Sequence, residues 1–181
     1  MNLQTLMIDM DNVITNGNIL NCIEEFYKQK PQIEEITEYK LVQELTKVRR
    51  KEFWDFMKTK DFYASAPLLD NCYEVLERLN QKYDLYIVTS YLWQEEGDLS
   101  DKCLSEKYKY LKNKLPFISQ EKYIFTTNKT IIHFDIAIDD KLENLQNADK
   151  KILFDAWHNK NIKDSSVTRV TNWKEIEKEL L

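Results

Sequence analysis

The chain has 181 residues, a length typical of one domain with room for a small inserted subdomain. Hydrophobic residues make up 43% of it, enough for a sizeable core, but no apolar run could span a membrane and we expect no secretory signal. The net charge of −5 argues against a non-specific nucleic-acid binder, which needs a basic face, yet it allows a small anionic substrate if a cation is bound.

Cysteine and glycine usage narrows the class of protein further. Cys22, Cys72 and Cys103 are widely spaced and form no CxxC pair, so we expect reduced thiols in a cytoplasmic protein rather than a disulfide framework or a zinc site. Only two glycines are present, which excludes a glycine-rich phosphate-binding loop. Any phosphate site must therefore be built from other residues.

The first third of the chain combines one strand with a long helical stretch. Residues 3–9 become continuously apolar and predict a buried strand. Apolar residues then recur at helical spacing from Ile19 to Met57, with Pro31 ending the first helix. This stretch far exceeds the roughly 2–6 residues of a usual βα loop. We therefore expect an inserted helical cap at residues 16–65 and a core made of residues 1–15 and 66–181.

Strand and helix patterns alternate after Pro67. Further strands are predicted at residues 85–88, 123–126, 134–138, 152–154 and 167–170. Helices are predicted at residues 73–79, 106–115, 142–148 and 173–181, with a long loop at 91–105. Asn172 and Glu175 have the spacing of a capping box before the last helix. This alternation predicts an α/β fold with a doubly wound parallel sheet.

Polar residues flank four short apolar runs, and they are the main functional signal of the chain. They are Asp9 and Asp11, Thr89 and Ser90, Lys129 before residues 130–132, and Asp139 and Asp140. Ligands of an open parallel sheet bind at the carboxyl ends of its strands, so we expect these residues to meet at one edge. Carboxylate, hydroxyl and ammonium groups together suit a metal ion and a phosphate.

Each group has a chemical interpretation and an ordinary structural one. Asp9 could attack phosphorus and Asp11 could act as acid and base, but both could also be turn residues after a strand. Asp139 and Asp140 could share a Mg²⁺ ion with Asp9 and the phosphate, or Asp140 could cap the next helix. Adjacent acids at a strand end are costly when they pack near other acids, unless a cation neutralises them.

The remaining candidates carry weaker signals. Thr89 and Ser90 offer donors to phosphate oxygens but are also ordinary helix caps. Lys129 could neutralise charge on a phosphoryl group, and Lys107 is a similar but weaker candidate. His133 is interpreted as structural. Packing is also the favoured interpretation of three residues after the fifth strand, namely Trp157, His158 and Asn159.

Taken in order, these polar groups resemble the four motifs of the haloacid dehalogenase-like phosphohydrolases. Several segments also resemble the 5′(3′)-deoxyribonucleotidases: IDMDNVITN, KDFYASAPLLDNCYEVLERL, YDLYIVTS, SEKYKYLKNKL, NKTIIHFDIAIDD and VTRVTNWKEI. The resemblance implies a Rossmann-like core with a small helical cap, and Mg²⁺-dependent removal of phosphate from (deoxy)nucleoside monophosphates through an aspartyl-phosphate. It leaves open whether the protein forms a homodimer, and we expect no nucleic-acid or membrane partner.

The resemblance also implies roles for individual residues. Asp9 resembles the nucleophile, and Asp11 the acid and base whose backbone carbonyl contacts the metal. Thr89, Ser90 and Lys129 resemble phosphate ligands, with Lys107 a further candidate. Asp140, helped by Asp139, resembles the carboxylate ligand of the metal.

Three departures from the family pattern concern the base pocket more than the phosphate site. Asn12 stands where the family has glycine, although asparagine tolerates a left-handed backbone. Gly17 stands where an aromatic residue packs on the base, and Asp70-Asn71 replaces a Pro-Gly turn. A phosphatase of sugar phosphates or other small metabolites, and a phosphate-binding module without turnover, therefore remain alternatives.

Overall fold

The protein is described by a computed structural model covering residues 3–28, 50–92 and 97–181. A sheet of six parallel strands has the order β3-β2-β1-β4-β5-β6. The strands are Thr5–Ile8 (β1), Asp84–Thr89 (β2), Tyr123–Phe125 (β3), Phe134–Asp139 (β4), Ala148–Phe154 (β5) and Thr168–Val170 (β6). This order confirms the predicted α/β class and the Rossmann-like doubly wound sheet.

Helices connect and cover these strands. In the described ranges the α-helices are Ile19–Tyr27 (α1), Arg50–Lys58 (α2), Cys72–Lys82 (α3), Gly97–Lys114 (α4) and Trp173–Leu180 (α5). Short 3-10 helices occupy Gln120–Lys122, Lys129–Ile131 and Leu142–Leu145. No helix in these ranges combines the length and apolar character needed to cross a bilayer.

The central strands are buried on both sides of the sheet, as a parallel sheet covered on two faces requires. Leu6 and Ile8 of β1 face one apolar layer, whereas Met7 packs with Ala137 of β4 in the other. The strand order reverses between β1 and β4, and this switch point is where a doubly wound sheet opens a crevice for ligands. Asp9 and Asp139 lie at this reversal.

The two described helices of the inserted stretch pack on each other through aromatic rings. The Phe26 ring of α1 lies with its centroid 5.3 Å from those of both Phe53 and Phe56 on α2. The helical pattern predicted between Ile36 and Val48 lies outside the described residues, as does Pro31. We propose residues 16–65 as the cap on this basis.

Two local predictions were wrong, each because tertiary packing overrides a weak local pattern. Residues 97–105 form the first half of α4 rather than a loop, because Leu99, Cys103 and Lys107 recur at helical spacing and are all buried. The helix predicted at 142–148 is a short 3-10 turn, since β5 already begins at Ala148.

The closing helix is capped largely as predicted. The Asn172 side chain accepts a hydrogen bond from the Glu175 backbone N–H at 3.1 Å, which defines it as the N-cap. The Glu175 carboxylate reaches the N–H of Thr171, at 2.6 Å, rather than that of Asn172. The helix also contacts the turn that follows β1, because the Trp173 indole N–H donates to the Val13 carbonyl at 2.8 Å.

Candidate active site

Asp9 follows β1 directly and is held against β4. Its N–H donates to the Ile138 carbonyl at 2.9 Å, which continues the sheet by one residue and fixes the carboxyl group beside the end of β4. The side chain is buried, and its Oδ1 lies 2.6 Å from Lys129 Nζ. A carboxylate is thus presented at the switch point with a cation on one of its oxygens.

A tight turn carries the chain away from Asp9. Asn12 adopts a left-handed backbone with φ of 59°, and the N–H groups of Ile14 and Thr15 both donate to the Met10 carbonyl. This confirms that asparagine can replace glycine in this turn. The Asn12 side chain has a second use, because its Nδ2 donates to Asp140 Oδ2 at 2.7 Å.

Asp9, Asp139 and Asp140 form a buried acidic cluster in which one carboxylate oxygen from each lies within 4.8 Å of the others. Asp139 is fully engaged by protein: Oδ2 accepts from Lys129 at 2.7 Å, and Oδ1 accepts from the Lys141 N–H and the Asn144 amide. Asp139 therefore fixes the Lys129 ammonium.

Asp140 is held through one oxygen. Its Oδ2 lies 2.7 Å from both Asn12 Nδ2 and His158 Nε2, and its carbonyl accepts from Asn159 Nδ2 at 2.7 Å. Within the described ranges, no hydrogen bond is recorded for Asp140 Oδ1 or for Asp9 Oδ2. Two carboxylate oxygens of a buried cluster are thus left for a cation. Oxygen ligands of this type suit a hard divalent ion.

Burial and charge act in opposite directions on this cluster. Burial, reinforced by the charges of Asp139 and Asp11, raises the pKa of Asp9 to about 6, although Lys129 opposes the rise. Burial alone would lower the pKa of Lys129, but the neighbouring carboxylates of Asp9 and Asp139 outweigh it and raise that pKa. Lys129 therefore stays protonated, and a cation bound at the cluster would favour the ionised form of Asp9.

A second group of polar contacts surrounds Asp11. Lys107 Nζ lies 2.5 Å from Asp11 Oδ2 and 2.8 Å from Thr89 Oγ1, and it also donates to the Ser90 carbonyl. Tyr63 donates its hydroxyl to Asp11 Oδ1 at 2.8 Å. Lys107, a weaker candidate from the sequence, is thus a buried ammonium at the centre of this group.

The sequence-predicted residues consequently fall into two adjoining groups. Asp9, Lys129, Asp139 and Asp140 form the first; Asp11, Thr89, the Ser90 carbonyl and Lys107 form the second. The groups are near enough for the Asp11 charge to raise the pKa of Asp9. The Ser90 side chain itself is exposed, so its backbone rather than its hydroxyl contacts Lys107.

Several residues of the site were not predicted from the sequence. His158 and Asn159 are more than packing residues, since both bind Asp140, and Arg169 of β6 braces Asn159 through its side-chain and backbone oxygens. Tyr63 was not among the residues predicted for the phosphate site. Adjacent His158 and Asn159 after a strand were the available signal, whereas nothing local marked Tyr63.

The sequence of the chain also matches the model of a known protein family. The model of the 5′ nucleotidase, deoxy (pyrimidine), cytosolic type C protein matches residues 3–181. The chain belongs to this family. Membership confirms the predicted enzyme class, a phosphoric monoester hydrolase of nucleotidase type within the haloacid dehalogenase-like hydrolases.

Curated relatives agree along most of the chain. The 5′(3′)-deoxyribonucleotidase of Clostridium acetobutylicum is 31% identical over 178 residues, covering 97% of this chain and 93% of the relative. That of Bacillus subtilis is 35% identical over 122 residues, covering 67% of this chain and 66% of the relative.

Solved structures support the same fold at low sequence identity. A haloacid dehalogenase-like hydrolase from Burkholderia xenovorans superposes with a TM-score of 0.58 at 11% identity, covering 98% of this chain and 96% of that one. The HAD-type protein YfnB from Bacillus subtilis, bound to magnesium, gives 0.55 at 17% identity, covering 99% of both chains. In this chain the buried acidic cluster at the switch point offers carboxylate oxygens of the kind that hold a divalent metal ion.

Proposed function

We propose that the protein is a Mg²⁺-dependent phosphatase of (deoxy)nucleoside monophosphates, above all pyrimidine deoxyribonucleotides, acting through an aspartyl-phosphate on Asp9. The supporting observation is the buried cluster in which Asp9 has one oxygen on Lys129 and shares a cation-sized space with Asp140. The family match and the 5′(3′)-deoxyribonucleotidase relatives supply the substrate class.

The residues present fit Mg²⁺. Asp9 and Asp140 would hold it, with the Asp11 carbonyl as a further ligand, while Asp139 acts mainly through Lys129. Hard oxygen donors with space for water and phosphate oxygens match the coordination that Mg²⁺ prefers. When bound, the ion supplies charge neutralisation for the phosphoryl group.

The protein's own groups can carry out both halves of the reaction. An Asp9 oxygen attacks phosphorus, the P–O bond to the nucleoside breaks, and Asp11 donates its proton to the leaving oxygen. Asp11 then takes a proton from water, whose oxygen attacks phosphorus and releases phosphate from Asp9. Lys129 and Lys107 offset charge on the transferring group, with the Thr89 hydroxyl as a further phosphate contact.

The deciding experiment is phosphate release from deoxynucleoside, nucleoside and sugar monophosphates, with and without Mg²⁺. We expect Mg²⁺-dependent turnover that is fastest on pyrimidine deoxynucleotides, and loss of turnover in Asp9→Asn with the fold intact by circular dichroism. A clear preference for sugar phosphates would contradict the substrate assignment. The absence of any turnover with Mg²⁺ would leave only a phosphate-binding module.

A further inference from the structure

The Asp11 carboxyl group is held by two donors of different kinds. Lys107 Nζ contacts Oδ2 at 2.5 Å, and the Tyr63 hydroxyl donates to Oδ1 at 2.8 Å. Lys107 also contacts Thr89 and the Ser90 carbonyl, so it belongs to the candidate phosphate site. Among the Asp11 contacts recorded for the described residues, the Tyr63 hydroxyl is the one from a neutral side chain outside that site.

The Asp11 and Tyr63 side chains differ in their exposure to solvent. The Asp11 side chain is 38% exposed, whereas Tyr63 is 2% exposed. A carboxyl group open to an incoming substrate is therefore held from behind by a buried hydroxyl. Such an arrangement fixes the direction of an acid or base without blocking its approach to the leaving oxygen.

Tyr63 is itself fixed by several neighbours. The N–H of the preceding residue, Phe62, donates to Glu106 Oε2 at 2.9 Å, and the Tyr63 N–H donates to Asp61 Oδ1 at 2.9 Å. The ring packs against that of Tyr110, with centroids 5.9 Å apart. Glu106 and Lys107 are consecutive residues of α4, so one helix orders both partners of Asp11.

Gly17 lies next to the Tyr63 ring. A Cβ atom on Gly17 would lie 3.4 Å from Tyr63 Cε1 and 3.4 Å from the Phe62 carbonyl oxygen, and the φ of Gly17 is +60°. Any other residue at position 17 would strain the backbone at this φ, and its Cβ atom would touch the ring. The glycine and the buried tyrosine therefore belong to one local arrangement.

We propose that Tyr63 is a positioning residue that orients Asp11 for proton transfer to the leaving oxygen, an inference that rests on the proposed function. The segment carrying Tyr63 leads from the proposed cap back to the core. The cap thus contributes a side chain that aligns the acid and base of the core.

The test compares the wild-type chain with Tyr63→Phe, which keeps the ring and removes the hydroxyl. With a deoxynucleoside monophosphate and Mg²⁺, we expect kcat to fall about tenfold while KM stays unchanged, as for loss of a hydrogen bond to a charged group. The matched control is Tyr83→Phe, which removes a buried tyrosine hydroxyl bonded to the Leu180 carbonyl at the far end of the sheet. This control should lower thermal stability and leave kcat unchanged.

A second substrate separates positioning from loss of folded enzyme. The leaving group of p-nitrophenyl phosphate needs no protonation, so kcat/KM for this ester should fall far less in Tyr63→Phe than kcat/KM for the nucleotide. Partial unfolding would instead lower both values by one factor. Unchanged nucleotide kcat in Tyr63→Phe, or an equal fall on both substrates, overturns the role of Tyr63. A wild-type chain without turnover overturns the proposed function as well.

Discussion

At the scale of single residues, the adjacent acids Asp139 and Asp140 have different surroundings. Both Asp139 oxygens accept protein hydrogen bonds, one of them from Lys129, whereas the described part of the chain holds the Asp140 carboxylate through Oδ2 alone. Their spacing in the sequence could predict a pair of acids at a strand end. It could not divide their roles, because that division depends on Asn144, Asn12 and His158, which come from separate segments.

We predict that His158→Ala weakens the divalent metal site. His158 Nε2 lies 2.7 Å from Asp140 Oδ2, and loss of a group that orients a metal ligand typically lowers metal affinity about 10–100-fold. The Mg²⁺ concentration that gives half-maximal phosphate release should rise accordingly. His133→Ala is the control, since that exposed histidine pairs only with Asp149 among the contacts described, and an equal shift in both variants would contradict the prediction.

Metal binding should also depend on pH through Asp9. Burial raises the pKa of Asp9 to about 6 in the metal-free protein, above the ordinary value of 3.8. In the metal-free protein, the raised pKa of Asp9 therefore stabilises the folded state below pH 3.8, and this contribution to stability is lost as the pH rises through about 6. Because a metal ligand must be ionised, Mn²⁺ affinity measured by titration should rise about tenfold per pH unit below 6 and level off above it. A flat profile from pH 5 to 7 would contradict the assignment of Asp9 as a ligand.

At the scale of elements, the strands were predictable and some of their connections were not. Continuous apolar runs identify β1, β2 and β4 because both faces of these strands are buried. The start of α4 was missed because its charged residues hide a buried stripe that includes Lys107. A lysine is counted as polar in such a pattern, and the partners that explain its burial, Asp11, Thr89 and Ser90, are distant in the sequence.

The N-cap of α5 gives a prediction about stability alone. Asn172→Ala removes the hydrogen bond to the Glu175 N–H and should lower the free energy of unfolding by about 1 kcal/mol. Denaturant unfolding measures this change, and kcat should be unaffected because Asn172 touches no residue of the site. Asn113→Ala, an exposed substitution within α4, is expected to stay within about 0.5 kcal/mol of wild type. Equal stability of the two variants would show that the cap contributes little.

At the scale of the whole molecule, more buried carboxyl groups than ammonium groups meet in the acidic cluster at the switch point. Three buried carboxyl groups, those of Asp9, Asp139 and Asp140, lie together, and the buried ammonium of Lys129 pairs with two of them, Asp9 and Asp139. The sequence pattern predicted the gathering of these acids and Lys129, since the carboxyl ends of parallel strands meet at one edge of a sheet. The contribution of Tyr63 could not be predicted, because it depends on how the inserted segment returns to the core.

A bound divalent ion should therefore stabilise the whole fold. A ligand that binds only the folded state adds about 2.7 kcal/mol of stability when present at 100 times its Kd. The thermal midpoint should rise with Mg²⁺ and stay constant in NaCl of equal ionic strength. In Asp140→Asn the Mg²⁺ effect should be strongly reduced, and a rise as large as that of wild type would argue against Asp140 as a ligand.

The most direct test is to trap the phosphoryl group. Enzyme turning over a deoxynucleoside monophosphate with Mg²⁺ is quenched in acid and reduced with borohydride, which converts an aspartyl-phosphate to homoserine. Peptide mass spectrometry should then locate homoserine at position 9 and not at position 11. Homoserine at another position, or an unmodified Asp9 in enzyme that demonstrably accumulates covalent phosphate, would contradict the account.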